Sequence, residues 1–213
     1  MIISITNLKG GVGKSTLTQN LAVCFAHAGY RVCVVDTDIQ AQVSTKWMGE
    51  RPDELPKIAI STIRPEELAK NVLALNKKYD VVLLDGTPAL FELSTRTLAL
   101  SDVAIIPMIP SIADIWVFEN YLRAYEEAKA QRANFNAGLS GFVLLNQYAG
   151  NNLDKEVKAA MQGFDINVLN SRIANRVAYR EAMTLGKGVI EYKDKKAKEE
   201  MTQLFNEIIE GIH

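Results

Sequence analysis

The sequence contains 213 residues, of which 48% are apolar and 23% are charged, so it is long enough to bury the core of one compact domain. Its formal net charge of -1 excludes a protein-wide positive field that would attract nucleic acid from a distance. We therefore expect a single domain over residues 1–213, with any nucleic-acid binding confined to a local basic surface.

Short β-branched runs alternate with longer segments of helical period, which is typical of βαβ units around a parallel sheet. Most runs are apolar throughout, as in central strands covered on both faces. The predicted strands are Ile2–Thr6, Arg31–Val35, Lys57–Ser61, Val81–Leu84, Val103–Pro107, Gly141–Leu145 and Asn167–Leu169. The predicted helices are Lys14–Ala28, Pro65–Lys77, Ile115–Arg132, Leu153–Gln162 and Lys195–Ile212. The fold class is α/β, with a mainly parallel twisted sheet covered by helices on both faces.

Three features favour a cytoplasmic protein. The opening run Ile2–Thr6 has neither the basic region nor the small-residue cleavage site of a signal peptide. The longest apolar stretch, residues 103–118, is interrupted by two prolines and an aspartate, well short of the roughly 20 residues of a membrane-spanning helix. Cys24 and Cys33 lack metal-type spacing and are expected to be buried free thiols.

The segment between the first strand and the first helix, Asn7–Thr16, reads NLKGGVGKST. Its glycines let the backbone turn tightly and direct N–H groups at phosphate oxygens, while the helix N-terminus adds partial positive charge. Lys14 is placed to reach the β- and γ-phosphates, and the Ser15 hydroxyl to complete a magnesium shell. The predicted nucleotide-binding residues of this loop are Lys9, Gly10, Gly11, Val12, Gly13, Lys14, Ser15 and Thr16.

Leucine at position 8 replaces a glycine of the general P-loop, and Lys9 offers a second cation. This string is the deviant Walker A motif, and the chain resembles the ParA/MinD family of ATPases over nearly its whole length. The resemblance implies ATP and Mg2+ as cofactors. It also implies that Lys9 reaches across a dimer interface to the phosphates of the partner's nucleotide, so that ATP holds a sandwich homodimer together. A lysine from each side would offset the repulsion between two facing triphosphates.

Two predicted strands end in carboxylates, in the segments VVDTDIQ at 34–40 and YDVVLLDGTP at 79–88. The carboxyl ends of parallel strands are where open α/β sheets bind nucleotides. The resemblance implies that Asp38 positions the attacking water and that Asp36 supports magnesium through its water shell. Asp85, in a Walker B-like segment, is expected to hold magnesium-bound waters. The alternative for Asp38 and Asp85 is a structural cap of a turn or strand end.

Lys14, Asp38 and Lys9 are thus the expected catalytic residues, and Ser15, Asp36 and Asp85 the expected metal-binding residues. Gly86 after Asp85 makes the chain similar to short plasmid-partition ParA proteins of the ParF type. The resemblance makes Asn146 the adenine reader, because a strand-end amide can form paired hydrogen bonds, although asparagine is also an ordinary turn residue. With no obvious arginine finger near the loop, we expect slow intrinsic hydrolysis.

Residues 170–198 carry eight basic side chains against three acidic ones. Phosphate contacts from such a surface are independent of sequence and sensitive to salt. The segment Arg176–Ala182 resembles the region that binds nonspecific DNA in ParA proteins, although Ala178 replaces an arginine of the longer relatives. The expected DNA-binding residues are Arg172, Arg176, Arg180 and Lys187. The alternative is a solvated, salt-bridged surface.

The resemblance implies a nucleoid-associated partition ATPase of bacteria or archaea. Its ATP-bound homodimer would bind nonspecific DNA, and a ParB-like or ribbon-helix-helix centromere-binding protein would stimulate hydrolysis and so move a plasmid or another cargo. A MinD-like ATPase on a membrane is one alternative, but residues 199–210 are acidic, unlike a basic membrane-binding helix. A metabolic P-loop enzyme and a scaffold without hydrolysis are the others.

Overall fold

The computed structural model describes residues 1–87, 91–135, 137–149 and 166–212, together with 157, 159 and 161. Within these residues seven parallel strands form one sheet in the order β3-β2-β4-β1-β5-β6-β7. The strands are β1 Ile2–Ile5, β2 Val32–Asp36, β3 Ala59–Thr62, β4 Val81–Asp85, β5 Val103–Met108, β6 Ser140–Tyr148 and β7 Asn167–Ala174. All seven predicted strands are therefore present.

The helices surround this sheet. They are α1 Lys14–His27, α2 Val43–Gly49, α3 Leu68–Asn76, α4 Phe91–Leu100, α5 Ile112–Ala133, α6 Val177–Met183 and α7 Lys195–Ile212. Two 3₁₀ turns are formed by Pro65–Glu67 and Val189–Glu191. Among the residues that the structure describes, no helix has the length and apolarity needed to span a membrane.

Both faces of the sheet are covered, because successive residues of a strand point in opposite directions. Val34 and Leu83 join a buried cluster with α1, α6 and α7. Their chain neighbours Val35 and Leu84 join a second cluster with α3 and α4, and α5 packs beside it over β5 and β6. The predicted α/β class with helices on both faces is confirmed.

The sequence-based assignment missed three helices: α2, α4 and α6. The first of them, α2, begins at a Gln42 with a left-handed φ of 49° and has no local side-chain cap, so no capping signal marks its start. The strand β7 continues to Ala174, beyond the predicted end at Leu169, through register shifts against β6. The predicted helix Leu153–Gln162 lies mostly outside the described residues. The two cysteines are buried and unpaired, as expected.

The strand register brings the predicted acidic residues together. Asp36 at the end of β2 lies opposite Asp85 at the end of β4, and Asp85 lies opposite Ile5 of β1. The glycine-rich loop follows directly after β1. The loop and both carboxylates therefore meet at the carboxyl edge of the sheet, where open α/β sheets bind ligands.

Candidate functional site

A cavity of about 400 Å³ lies at this edge of the sheet. The glycine-rich loop and the start of α1 form one wall, and the end of β7 with the first turns of α6 forms the opposite wall. Its polar lining includes Lys14, Ser15, Asp38, Asp85, Asn146, Gln147, Asn175, Arg176 and Arg180. The predicted nucleotide-binding, catalytic and metal-binding residues that line this cavity are Gly11, Gly13, Lys14, Ser15, Thr16, Asp38, Asp85 and Asn146. Lys9, Gly10, Val12 and Asp36 are not among its lining residues.

The loop is held in shape by its own backbone and by a neighbouring strand. Gly11 and Gly13 have φ values of 75° and 91°, in the left-handed region that favours glycine. The Asn7 side chain donates to the Pro107 carbonyl at 2.8 Å and accepts the Lys9 N–H at 3.0 Å. This arrangement leads into α1, whose first N–H groups have no partner within the helix and can bind an anion.

Lys14 is buried at the start of α1, and its ammonium donates to the Lys9 carbonyl at 2.7 Å. Burial lowers the pKa of this ammonium to about 8, although the negative charges of Asp85 and Asp38 oppose the change. The lysine is therefore a desolvated cation beside two carboxylates. An incoming phosphate would stabilise its charged form.

Asp85 is buried, and one of its oxygens accepts the Ser44 hydroxyl at 2.7 Å. The other oxygen, Oδ1, is buried and accepts no hydrogen bond from any described residue. Burial raises the pKa of this carboxyl to about 7, against the opposing effect of the Ser44 and Ser15 hydroxyls. A buried acceptor without a donor is costly, and a magnesium-bound water would supply that donor, so Asp85 and Ser15 fit a magnesium site.

Asp36 is also fully buried, but its oxygens are already engaged. Oδ1 accepts the Asp38 N–H at 3.1 Å, and Oδ2 accepts both the N–H and the hydroxyl of Thr45 at 3.0 Å. Asp36 therefore stabilises the start of α2 from outside the helix. The expected support of magnesium by Asp36 through water stays a prediction.

Among the described residues, no three Asp, Glu, His or Cys side chains converge on one point. A divalent ion here would therefore depend on ligand phosphates and water for most of its coordination, which is how Mg2+ is usually bound in phosphate-transferring proteins.

Asp38 lies on the cavity wall and caps the turn that leads into α2. Its Oδ1 accepts the N–H groups of Gln40 and Ala41 at 3.1 and 2.9 Å. The capping role considered in the sequence analysis is therefore present. It engages only one carboxylate oxygen within the described residues, so Oδ2 is left for a water molecule.

The Asn146 side chain points at the loop. Its Nδ2 donates to the Val12 carbonyl at 2.6 Å, and a Cβ at Gly13 would collide with this amide. The next residue, Gln147, has a left-handed φ of 54° and donates to the Gly11 carbonyl at 2.7 Å. Both side-chain amides, from the end of β6, thus hold the glycine-rich loop through hydrogen bonds to its carbonyls. Adenine recognition by Asn146 remains a prediction.

The four predicted DNA-binding residues have different surroundings. Arg176 is hydrogen-bonded to Glu200, and the Arg172 guanidinium lies 5.2 Å from the Tyr148 ring centre. Lys187 is half-buried, whereas Arg180 is exposed at the cavity rim. Further exposed cations follow at the start of α7, namely Lys193, Lys195, Lys196 and Lys198. The basic surface of the described chain is thus centred on Arg180 and the start of α7.

Several functional contacts were not predicted from the sequence. Ser44 and Thr45 hold the two carboxylates, and Gln147 holds the loop. Arg176 and Arg180 line the same cavity as Lys14, on the side formed by the end of β7 and α6; the expected lack of an arginine finger near the loop stays a prediction. The one available sequence signal was the run of polar residues Gln42, Ser44 and Thr45, shortly after the first acidic segment at 34–40.

The chain is similar in sequence to known proteins. Residues 3–189 match the family model described as CobQ/CobB/MinD/ParA nucleotide binding domain. The chain is 26% identical to maintenance of carboxysome distribution protein A of Halothiobacillus neapolitanus, covering 97% of this chain and 95% of that protein. It is 28% identical to sporulation initiation inhibitor protein Soj of Bacillus subtilis, covering 90% of each.

Solved structures share the fold. The septum site-determining protein MinD of Pyrococcus horikoshii, complexed with Mg-ADP, superposes with a TM-score of 0.79 at 22% identity, covering 98% of this chain and 95% of that chain. An McdA variant of Cyanothece in complex with ATP superposes with a TM-score of 0.78 at 16% identity, covering 97% and 95%.

Proposed function

The chain belongs to the CobQ/CobB/MinD/ParA family of nucleotide-binding domains, and from that premise we propose that it is a ParA-type ATPase that moves a large cargo through cycles of ATP binding and hydrolysis. One observation carries the proposal. The left-handed glycine loop, the Lys14 ammonium and a buried Asp85 oxygen without a partner meet in a single cavity. That combination suits a triphosphate with its magnesium ion.

The phosphates bind at the start of α1. The free N–H groups of the loop and of the first helical turn surround the phosphate oxygens. Lys14 exchanges the Lys9 carbonyl, which it contacts at 2.7 Å, for the β- and γ-phosphates. The phosphate charge raises the lowered pKa of Lys14 again, so that the cation is fully formed when ATP is bound.

Ser15 and Asp85 would hold the magnesium ion, since the Ser15 hydroxyl and the unpaired Asp85 Oδ1 lie at the same cavity. When bound, magnesium neutralises charge on the β- and γ-phosphates during phosphoryl transfer. Asp36 keeps its hydrogen bonds to Thr45 and Asp38. It would contact the magnesium ion only through the water molecules that surround the ion. Asp38 orients the attacking water with the oxygen that its capping contacts leave available.

The first experiment measures Mg-ATP binding and phosphate release. Lys14→Ala is expected to abolish ATP binding. Lys46→Ala is the matched control, because Lys46 also donates to a carbonyl five residues earlier, that of Ala41, but lies outside the cavity. Asp38→Ala is expected to bind ATP without hydrolysing it. Unchanged binding by Lys14→Ala would refute the loop assignment, and a fully active Asp38→Ala would reassign the water-positioning role.

Two copies associate through this face when ATP is bound. Lys9 is half-buried in the loop, and the apolar side chains Ile39 and Val43 are exposed. A second copy would cover these side chains and place its own Lys9 against the first nucleotide. The dimer doubles the number of cations facing DNA, so that nonspecific DNA affinity follows the nucleotide state.

Arg180 and the lysines at the start of α7 contact DNA phosphates in this proposal. We expect stronger DNA binding with a slowly hydrolysed ATP analogue than with ADP. Arg180→Ala should weaken that binding and reduce its salt dependence. Arg96→Ala is the control, because Arg96 pairs with Glu92 within α4 on another part of the surface. Equal DNA affinity in both nucleotide states would contradict nucleotide control.

The proposed ATP cycle requires a cargo and a partner that stimulates hydrolysis. Relatives include a chromosome-partitioning ATPase of Thermus thermophilus and carboxysome distribution proteins, so both DNA and protein cargoes occur among similar proteins. A ParB-like or ribbon-helix-helix centromere-binding protein would accelerate hydrolysis and release the dimer from DNA. Adding the adjacent gene's product to the ATPase assay tests this role directly.

A further inference from the structure

The cavity has two chemically different ends. The loop and Lys14 provide cations and N–H groups at one end. At the other, Ile173, Ala174 and the Tyr179 ring present apolar surface, with Asn175 and Arg176 beside them. In the proposed function the phosphates occupy the loop after β1, and β5 and β6 separate β1 from β7 in the sheet, so we expect the nucleoside to extend toward this second wall.

Arg176 on that wall is held by an ion pair with Glu200. Its Nε donates to both oxygens of Glu200 at 3.1 and 3.0 Å, and its Nη2 donates to Glu200 Oε1 at 2.5 Å. Glu200 belongs to α7 and also accepts the Ala174 N–H at 3.3 Å. One carboxylate therefore fixes both the end of β7 and the guanidinium that follows it.

The pairing leaves part of the guanidinium available. Nη1 of Arg176 makes no hydrogen bond to any described residue, and 27% of the side chain is exposed. A planar guanidinium can stack on an aromatic ring or donate to a ring acceptor. Held in place by Glu200, it would lose little further side-chain freedom on contacting a ligand, which favours binding.

We propose that Arg176 contacts the base of the bound nucleotide and that Glu200, on the last helix, is the positioning residue that holds Arg176 against it. This inference rests on the proposed nucleotide function. It moves Arg176 from the DNA-binding set of the sequence analysis to the nucleoside end of the cavity. Arg180, which is exposed and pairs with no described residue, stays with the DNA-binding surface.

The test compares ATP with inorganic tripolyphosphate, which has no nucleoside, in titration calorimetry with Mg2+. Arg176→Ala is expected to weaken ATP binding about tenfold, as loss of a contact to a charged group would, and to leave tripolyphosphate binding unchanged. Glu200→Gln should weaken ATP binding in the same selective way. Glu199→Gln is the matched control, because Glu199 is the exposed neighbour on the same helix.

The double variant Arg176→Ala/Glu200→Ala separates positioning from simple folding effects. If Glu200 acts through Arg176, the double variant binds ATP no more weakly than Arg176→Ala alone, whereas independent structural losses would add. Equal weakening of both ligands by Arg176→Ala, or no weakening of either, overturns the assignment. A wild-type protein that binds neither ligand overturns the proposed function together with this inference, whereas selective loss in the variants supports both.

Discussion

Replacing Asp85 with asparagine is expected to stabilise the nucleotide-free protein at neutral and higher pH, although it removes a magnesium-site carboxylate. The folded protein raises the pKa of Asp85 from 3.8 to about 7, mainly by burial. Below the unfolded-state value the group is protonated in both states and has no effect on stability. As pH rises above it, only the unfolded chain releases the proton, so the free energy of unfolding falls until the folded-state pKa is passed.

The size of this loss of unfolding free energy follows from the difference between the folded-state and unfolded-state pKa values of Asp85. A difference of about 3 pH units at about 1.4 kcal/mol per unit gives a destabilisation of at most about 4 kcal/mol. Asparagine removes the titration and keeps an oxygen for the Ser44 hydroxyl, which now donates at 2.7 Å. Its new amide group lacks an acceptor, at a cost of about 1–3 kcal/mol, so the expected net gain above neutral pH is about 2 kcal/mol.

The assay is urea unfolding with a metal chelator, at pH 5 and pH 8, of the wild type, Asp85→Asn and Asp80→Asn. Asp80 directly precedes the same strand at its opposite end. Hydrogen bonds from Arg31 lower the pKa of Asp80 to about 2, so its effect on stability should be constant between these two pH values. The free energy of unfolding of Asp85→Asn, relative to that of the wild type, should increase from pH 5 to pH 8. A stability difference that does not grow with pH refutes the reasoning.

Three further substitutions test separate contacts. Arg51→Ala should destabilise by about 3 kcal/mol, because the Glu191 side chain, only 3% exposed, loses its guanidinium partner and keeps only His27 and the Gly188 N–H. Urea unfolding should show little change for the exposed control Arg31→Ala. Gly86→Ala should cost about 1–3 kcal/mol, because its Cβ would lie 2.8 Å from the Ile5 carbonyl, whereas Gly138→Ala enters open space; equal thermal shifts would contradict this. Lys9→Ala should still bind ATP but sediment as a single subunit in ultracentrifugation, and normal ATP-dependent dimerisation would remove the cross-subunit role.

The sheet and the loop were predictable because their signals are local. Apolar runs define the strands, and NLKGGVGKST carries the glycines whose left-handed φ values the structure shows at Gly11 and Gly13. The positions of Asp36 and Asp85 at strand ends also follow from short motifs. Parallel pairing then places the two carboxylates opposite each other.

The contacts that hold the site were not predictable, because they join distant segments. Thr45 reaches back to Asp36, and Asn146 reaches across to Val12. Arg176 and Glu200 are 24 residues apart, on different elements. No spacing rule encodes such side-chain directions, since they depend on how β6, β7 and α7 pack together. The sequence could therefore identify a basic segment, but it could not distinguish Arg176, which is bonded to Glu200, from the exposed Arg180.

The short helix α2 is bonded at both ends to different working parts of the protein. At its beginning, Ser44 and Thr45 hold the two acidic strand ends. At its far end, Trp47 donates to the Lys187 carbonyl at 3.3 Å, and Arg51 just beyond donates to the Gly186 carbonyl at 3.0 Å. A change in position of either carboxylate must therefore break these bonds or carry the 186–187 backbone with it. One short helix thus joins the proposed ion site to the backbone beside Lys187, in the basic segment.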